Sequence, residues 1–393
     1  MSKKNIVIAG CGFAGLSALA ELKKHRAILK DHNLVMIDKK HYFEFLPMLP
    51  DVVGGWIKPE LLRYDLDVYA KKINATFVEG EIKSMDPVKQ LFILNKETIE
   101  YEQAVIAPGS ETNFYGKEEL RDTCFELDDV DDAVSIKKAI LLCLEKNKEL
   151  NVLVIGGGYT GIEIATNINF LLRKNKTKQH VYIVEKSERI LVTEPEWVRR
   201  KVEEELTKTG IEIITGDSLK ENYNGISVLI SGKIFNNALC VWTACVQAPE
   251  FLSSIEAEKE KTRILSDKEM RIKGQNYNNL FVAGDAAAFK DEPDSKSLRM
   301  AVMFSIGQGK AAADNIKNNI EKKQFVQYKH FDLGYLVPMA QGKAYGRVMK
   351  IKVSGLIGHI MHYFMCIYRS EWSNKIGLVS SVILRSSSSA TKK

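Results

Sequence analysis

The 393-residue sequence has no run of 18 apolar residues free of charge, so no membrane-spanning helix is expected. It also lacks any CxxC pair. Its six cysteines fall at 11, 124, 143, 240, 245 and 366, a scatter that signals neither a zinc site nor a thioredoxin-type redox pair. A reducing intracellular compartment fits that usage. Residues 1–9 run straight into an aliphatic strand, so no cleavable leader is expected there. Strong charge of one sign is missing too: 56 Lys and Arg against 50 Asp and Glu give a net +6. That mild excess permits attraction to anionic cofactors or an anionic lipid surface, but it is no nucleic-acid signature without a clustered patch. The basic stretch RKNKTKQH, 173–180, reads as a solvated loop. Composition is otherwise ordinary, 45% hydrophobic and 27% charged, and the length allows two or three domains.

What the chain does contain is one piece of grammar written twice. NIVIAGCGFAGLSALAEL, from residue 5, is a buried strand, a glycine turn and a helix; NVLVIGGGYTGIEIA, 151–165, repeats it. In the first copy Gly10, Gly12 and Gly15 answer three steric demands: a tight turn, backbone approach to phosphate oxygens, and close packing of helix on strand. Phe13 and Ala14 open the helix, whose amino terminus offers N–H groups to an anion. The second strand, LVMID, ends in Asp38, followed by Lys39; the acid is placed to accept hydrogen bonds from a ribose diol. The second copy has Gly156, Gly158 and Gly161, with Tyr159 and Thr160 at the helix start and Glu185 ending the strand HVYIVEK. Glu185 favours a free ribose hydroxyl over a 2′-phosphate, hence NADH over NADPH, a preference that Lys186 weakens.

Between and beyond these units, residues 76–110 predict a small antiparallel meander and a strand returning to the first sheet. Helices are predicted over 128–146, 159–173 and 196–208, and short strands near 211–214, 226–230 and 239–243. NLFVAGDAAAF, 279–289, is again strand, glycine and acid, leading to a helix from about 298 to 320. The tail SSSSATKK is expected to be disordered.

The element GD, Gly284 and Asp285, makes a resemblance specific. The chain resembles flavoproteins with two dinucleotide-binding domains, where this motif closes on FAD and the NAD domain is inserted into the FAD domain. AVIAPGSETNFYG, 104–116, with Ala107 and Gly109, is similar to the outgoing crossover of that family, Pro108 replacing its threonine; ALCVWTACVQAP, 238–249, is similar to the return. The implied fold is α/β, with two Rossmann-like domains and a carboxyl-terminal amphipathic helical anchor. Its implied division is 1–112 and 244–325 for FAD, 113–243 for NADH, and 326–393 for membrane association. Hydride transfer then needs the two reactive rings about 3–3.5 Å apart.

Within that fold, the cysteine pair of the disulfide reductases is missing around 41–60. KKHYFEFLPMLPDVVGG instead resembles type II NADH:quinone oxidoreductases, written H-x-x-F-x-P-L-L-x-x-V-A-x-G, with His41, Phe43, Pro47, Leu49, Val52 and Gly54 or Gly55 in place. VWTACV resembles W-T-A-G-V, with Cys245 for glycine. The resemblance implies that Glu163, expected on the first turn of the second glycine helix, assists proton movement, and that Gln308, in FSIGQGKAAADNI, donates to a quinone carbonyl. In that helix Gly307 and Ile306 depart from the family's pattern. A helix within 352–385 is expected to carry an apolar stripe of Val353, Leu356, Ile357, Ile360, Phe364, Ile367 and Tyr368. Gly355, His359, His362, Cys366 and Arg369 fall on its other face, and Trp372, Lys375 and Arg385 supply anchors. Such a helix lies in the bilayer interface, or packs on the core or on a second copy in a homodimer. His359 and His362 lack further ligands, and no metal is expected. The implied protein is a peripheral enzyme on the cytoplasmic face of the membrane. Sulfide:quinone oxidoreductase of the same fold, recruiting Cys124, Cys245 or Cys366, and a flavin-binding NADH-sensing module are the alternatives.

Overall fold

The computed structural model describes residues 3–146, 149–174, 179–274, 277–292, 294–370 and 372–390. The chain forms two compact units. The first comprises 1–43, 64–111 and 247–332; the second comprises 44–63, 112–246 and 333–393.

The first unit is built on a five-stranded parallel sheet in the order Leu280–Val282, Gln103–Ile106, Lys4–Ala9, His32–Asp38, Thr76–Glu79. Ile6, Val7, Ile8 and Ala9 have no exposed surface, which is why this strand is uniformly aliphatic and not alternating. The expected meander is present as Ile82–Asp86, Leu91–Leu94 and Thr98–Glu100. Helix Phe13–Leu22 packs closely against helix Val302–Ile320; a Cβ on Gly309 would lie 2.1 Å from the Ala14 carbonyl oxygen. That second helix starts later than the predicted 298. The Leu298 amide is spent on the Phe289 carbonyl, and the Leu298 carbonyl accepts from Arg263, so the backbone there stays extended.

The second unit repeats the plan with four parallel strands, Ile211–Thr215, Gln179–Glu185, Leu150–Ile155 and Ala238–Trp242. Helix Val130–Glu145 begins with a capping box in which Asp129 and Asp132 satisfy each other's amides. A three-stranded antiparallel sheet, Leu219–Tyr223, Ile226–Leu229 and Ile234–Asn236, covers an apolar core that includes Phe114, Leu153, Tyr182 and Trp242. Of the basic stretch 173–180, Arg173 and Lys174 end a helix while Gln179 and His180 begin a strand; 175–178 lie outside the described residues.

The carboxyl-terminal part departs most from expectation. Gly334–Met339, Lys343–Val348 and Ile351–Ser354 form an antiparallel sheet that periodicity did not indicate. Val353 therefore belongs to a strand, buried, and helix Gly355–Arg369 starts after it. A second helix, Lys375–Ala390, continues through the serines that were expected to be disordered; 391–393 lie outside the described residues. Among the described residues no helix is long and apolar enough to cross a membrane.

Candidate functional site

The two glycine turns have the same geometry in their separate units. Gly10 has φ +100° and Gly156 +117°, and each donates its amide to the neighbouring strand, at Ile37 and Val184, both at 2.8 Å. A Cβ on Gly15 would lie 1.9 Å from the Gly10 carbonyl oxygen, and one on Gly161 lies 1.9 Å from that of Gly156. Side chains at these positions would push the helix off the turn. Gly12 and Gly158 differ from them: a Cβ there meets nothing within 4 Å. These are the positions where backbone stands open to an approaching phosphate.

The strand-end acids do more than the sequence indicated. Asp38 Oδ2 accepts from the Cys11 amide at 2.7 Å and Oδ1 from the Lys40 amide at 2.9 Å. Glu185 Oε2 accepts from the Gly157 amide at 2.7 Å and Oε1 from the Ser187 amide at 2.8 Å. Each acid thus fastens its own turn to the strand that carries it. A carboxylate offers about four acceptor sites, so two amide bonds leave capacity for a diol. Burial pushes the Asp38 carboxyl above the usual range, against the lowering effect of the two amides and of Lys39 and Lys40. Neither glycine helix has an acid in its first turn, and helix Phe13–Leu22 begins without a side-chain cap, so both starts are suited to an anion.

Other expected cofactor residues take definite places. In the first unit the Ala107 carbonyl oxygen lies 2.2 Å from where a Gly10 Cβ would be, and Gly109, φ +78°, has open space on that side. The Phe13 ring meets Phe43 edge-on at 5.2 Å. Lys39 is exposed. Gly284 has φ +76°, and its amide donates to Gln308 Oε1 at 2.8 Å. Asp285 accepts from Ser110 Oγ at 3.2 Å, and burial raises its carboxyl while Ser110 and Arg263 oppose that. Arg263 clamps this turn through the carbonyls of Asp285, Ala287 and Leu298, a role with no sequence signal. In the second unit Tyr159 donates to Glu194, and Thr160 is exposed. Within the HYFEFLP segment, His41 is held between Glu79 and Asp65, at 3.0 and 3.1 Å.

Glu163 and Gln308 lie in different units. Glu163 falls beyond the first turn of helix Tyr159–Lys174, so dipole compensation does not explain it. Its carboxylate, largely buried, is 3.9 Å from His362 Nε2. Gln308 is buried, with its amide oxygen engaged by Gly284, so the chemistry left to it is donation from Nε2. Tyr363, from helix Gly355–Arg369, reaches fully buried Asp51 at 2.6 Å, a contact with no signal in the sequence.

That helix packs through its small and polar face. Gly358, His359, Tyr363 and Cys366 are buried, whereas Leu356, Ile357, Ile360, Phe364 and Tyr368 are each 58–68% exposed. A Cβ on Gly358 would lie 2.6 Å from the Ala344 carbonyl oxygen, which explains why the helix must turn this face inward. Ile376 and Ile383 of the following helix are exposed as well, while Leu378 is buried. The side chains of Trp372 and Arg385 lie outside those described.

Comparison with known proteins agrees with this architecture. The type II NADH:quinone oxidoreductase of Staphylococcus aureus is 24% identical over 371 residues, covering 90% of this chain and 92% of that protein. The structure of NDH2 from Plasmodium falciparum in complex with NADH superposes with a TM-score of 0.87 at 17% identity, covering 97% and 98% of the two chains. Sulfide:quinone oxidoreductase from Aquifex aeolicus superposes at 0.78, with 19% identity and coverage of 95% and 92%. A family profile described as pyridine nucleotide-disulphide oxidoreductase matches residues 4–312. With two glycine turns of one geometry and a profile spanning most of its length, the chain belongs to the pyridine nucleotide-disulphide oxidoreductases, enzymes that use FAD and NAD(P)H.

Proposed function

We propose that the chain is a non-pumping type II NADH:quinone oxidoreductase held peripherally on the cytoplasmic face of the membrane. The observation that carries this reading is the near full-length similarity to the Staphylococcus aureus enzyme, joined to two intact nucleotide turns. Gly10, Gly12, Phe13, Ala14, Gly15, Asp38, Lys39, Ala107, Gly109, Gly284 and Asp285 hold FAD. Gly156, Gly158, Tyr159, Thr160, Gly161 and Glu185 hold NADH, within a segment (113–243) inserted between the two parts of the FAD domain. FAD held by these residues would supply the two-electron chemistry, taking up hydride from NADH and giving electrons to a quinone.

The residues of the chain do the rest. The open faces of Gly12 and Gly158 admit pyrophosphate, and the acids Asp38 and Glu185 orient riboses while keeping their own turns closed. Glu163, shielded from water and beside His362, holds a proton for the acceptor side. Gln308, anchored through its oxygen, presents its NH2 group to a quinone carbonyl. The outward apolar residues of the last two helices rest in the lipid interface, and Lys375 offers a cationic contact with headgroups.

A sulfide-oxidising reading needs reactive cysteines. Cys124 and Cys366 are buried, Cys124 within the apolar core of the second unit; Cys245, half-buried, has its thiol turned to the Val246 carbonyl at 3.4 Å, and the second nucleotide turn would be idle. Anaerobic stopped flow on the purified yellow protein separates the possibilities. NADH should bleach the flavin band and a soluble quinone should restore it. Bleaching by sulfide alone would favour the sulfide enzyme, and slow reoxidation by quinones would favour an NADH-sensing module.

A further inference from the structure

The inward face of helix Gly355–Arg369 carries a buried cluster that the proposed reaction uses only in part. The Tyr363 hydroxyl donates to Asp51 Oδ1 at 2.6 Å, and Asp51 is fully buried in the short helix Leu49–Val53. Beside this pair, His362 Nε2 lies 3.9 Å from Glu163 Oε1 and 3.6 Å from Cys366 Sγ. The rings of His359 and His362 meet the Tyr363 ring edge-on at 4.7 and 5.1 Å. Burial pushes the Cys366 thiol up; Glu163 and Asp51 push it further whenever they are ionised, with Arg369 opposing them. Both carboxylates are therefore within electrostatic reach of one sulfur. A buried carboxyl is costly when ionised and easily kept protonated, which suits it to storing a proton. Asp51, Glu163, His359, His362, Tyr363, Cys366 and Arg369 are the ionisable groups of this cluster.

Resting on the quinone reading above, we infer that Asp51 is a second proton-carrying carboxyl for the acceptor side, with Tyr363 as the residue that positions it. The overall reaction, NADH + H+ + quinone → NAD+ + quinol, draws one proton from water, yet the two quinone oxygens take up two. Glu163 supplies one and Asp51 the other; each carboxyl O–H bond breaks as a quinol O–H bond forms. Both carboxylates are then reprotonated, one by water and one by the proton released from the nicotinamide hydride after its electron pair has moved on.

The test assays Asp51→Asn and Tyr363→Phe with NADH against a soluble quinone and against ferricyanide, an acceptor that takes electrons without protons. Asp51→Asn should lower quinone reduction about a hundredfold and leave ferricyanide reduction within about twofold. Tyr363→Phe should move the pH profile of quinone reduction alone. In infrared spectra of the resting protein, Asp51→Asn should remove a protonated-carboxyl band. Equal loss with both acceptors would show a packing latch and overturn the inference, as would unchanged quinone reduction. Should Asp51→Asn fail to fold, Tyr363→Phe decides by the same split. Wild-type protein that reduces ferricyanide but no quinone would refute the quinone reading, and this inference with it.

Discussion

Gly15 and Gly161 are required by the protein's own backbone, whereas Gly12 and Gly158 face open space. Gly15→Ala should therefore cost about 1–3 kcal/mol of stability through overpacking. Gly12→Ala should lose flavin yet melt where flavin-free wild-type protein melts, whereas Gly15→Ala should melt below it; thermal melts of flavin-free protein paired with flavin content after gel filtration distinguish the two. Glu185 is the point to probe nucleotide choice. Its replacement by serine or arginine should shift preference from NADH toward NADPH about tenfold, ~1.4 kcal/mol. Because the same carboxylate fastens Gly157 and Ser187, Glu185→Gln is the control that keeps one acceptor. An unchanged ratio of kcat/KM for the two nucleotides would remove the ribose role. Glu126 gives a pH signature: burial first, then Asp128, raises its carboxyl from 4.5 to about 7. Folded protein holds this proton more tightly than unfolded protein does, so its contribution is full below pH 4.5 and is lost as pH rises through about 7. Solvent screening keeps the effect small. Glu126→Gln should raise the melting temperature by about 1–3 °C near pH 8, with no gain at or below about pH 4.5, where wild-type Glu126 is already protonated.

At the scale of elements, the parallel strands were legible because burial on both faces writes an uninterrupted aliphatic run, and because glycine and an acid punctuate it. The sheet Gly334–Ser354 was not, since its strands mix Gly, Pro, Lys and Tyr and take their register from pairing with one another. Arg263 and Tyr363 were equally invisible, because each acts on a partner far away in sequence. The stripe on helix Gly355–Arg369 was legible as amphipathic, but whether it faces inward or outward depends on Gly358 against Ala344. Removing 352–393 would strip a paired strand and the buried Tyr363 along with the exposed stripe, so truncation confuses anchoring with unfolding. Phe364→Glu combined with Ile360→Glu is the cleaner experiment. The melting temperature should stay within about 2 °C, as expected for exposed positions. Cosedimentation with lipid vesicles should drop severalfold, and retained binding would sink the anchor.

For the whole molecule, a net charge of +6 and an apolar surface stripe together make a prediction about lipid choice. Vesicles containing anionic lipid should bind more tightly than neutral ones. Each lysine or arginine near the surface contributes about 1 kcal/mol, and the advantage should fade as salt shortens the Debye length to about 3 Å at 1 M. Salt-insensitive binding, equal for both vesicle types, would leave the apolar stripe as the whole attachment.

The outward-turned stripe has one more consequence, for how the purified protein behaves. In buffer without lipid or detergent, five large apolar side chains on one helix find cover most readily on the same helix of a neighbouring molecule. Pairs that sediment together in plain buffer and come apart in mild detergent would then be held by this stripe.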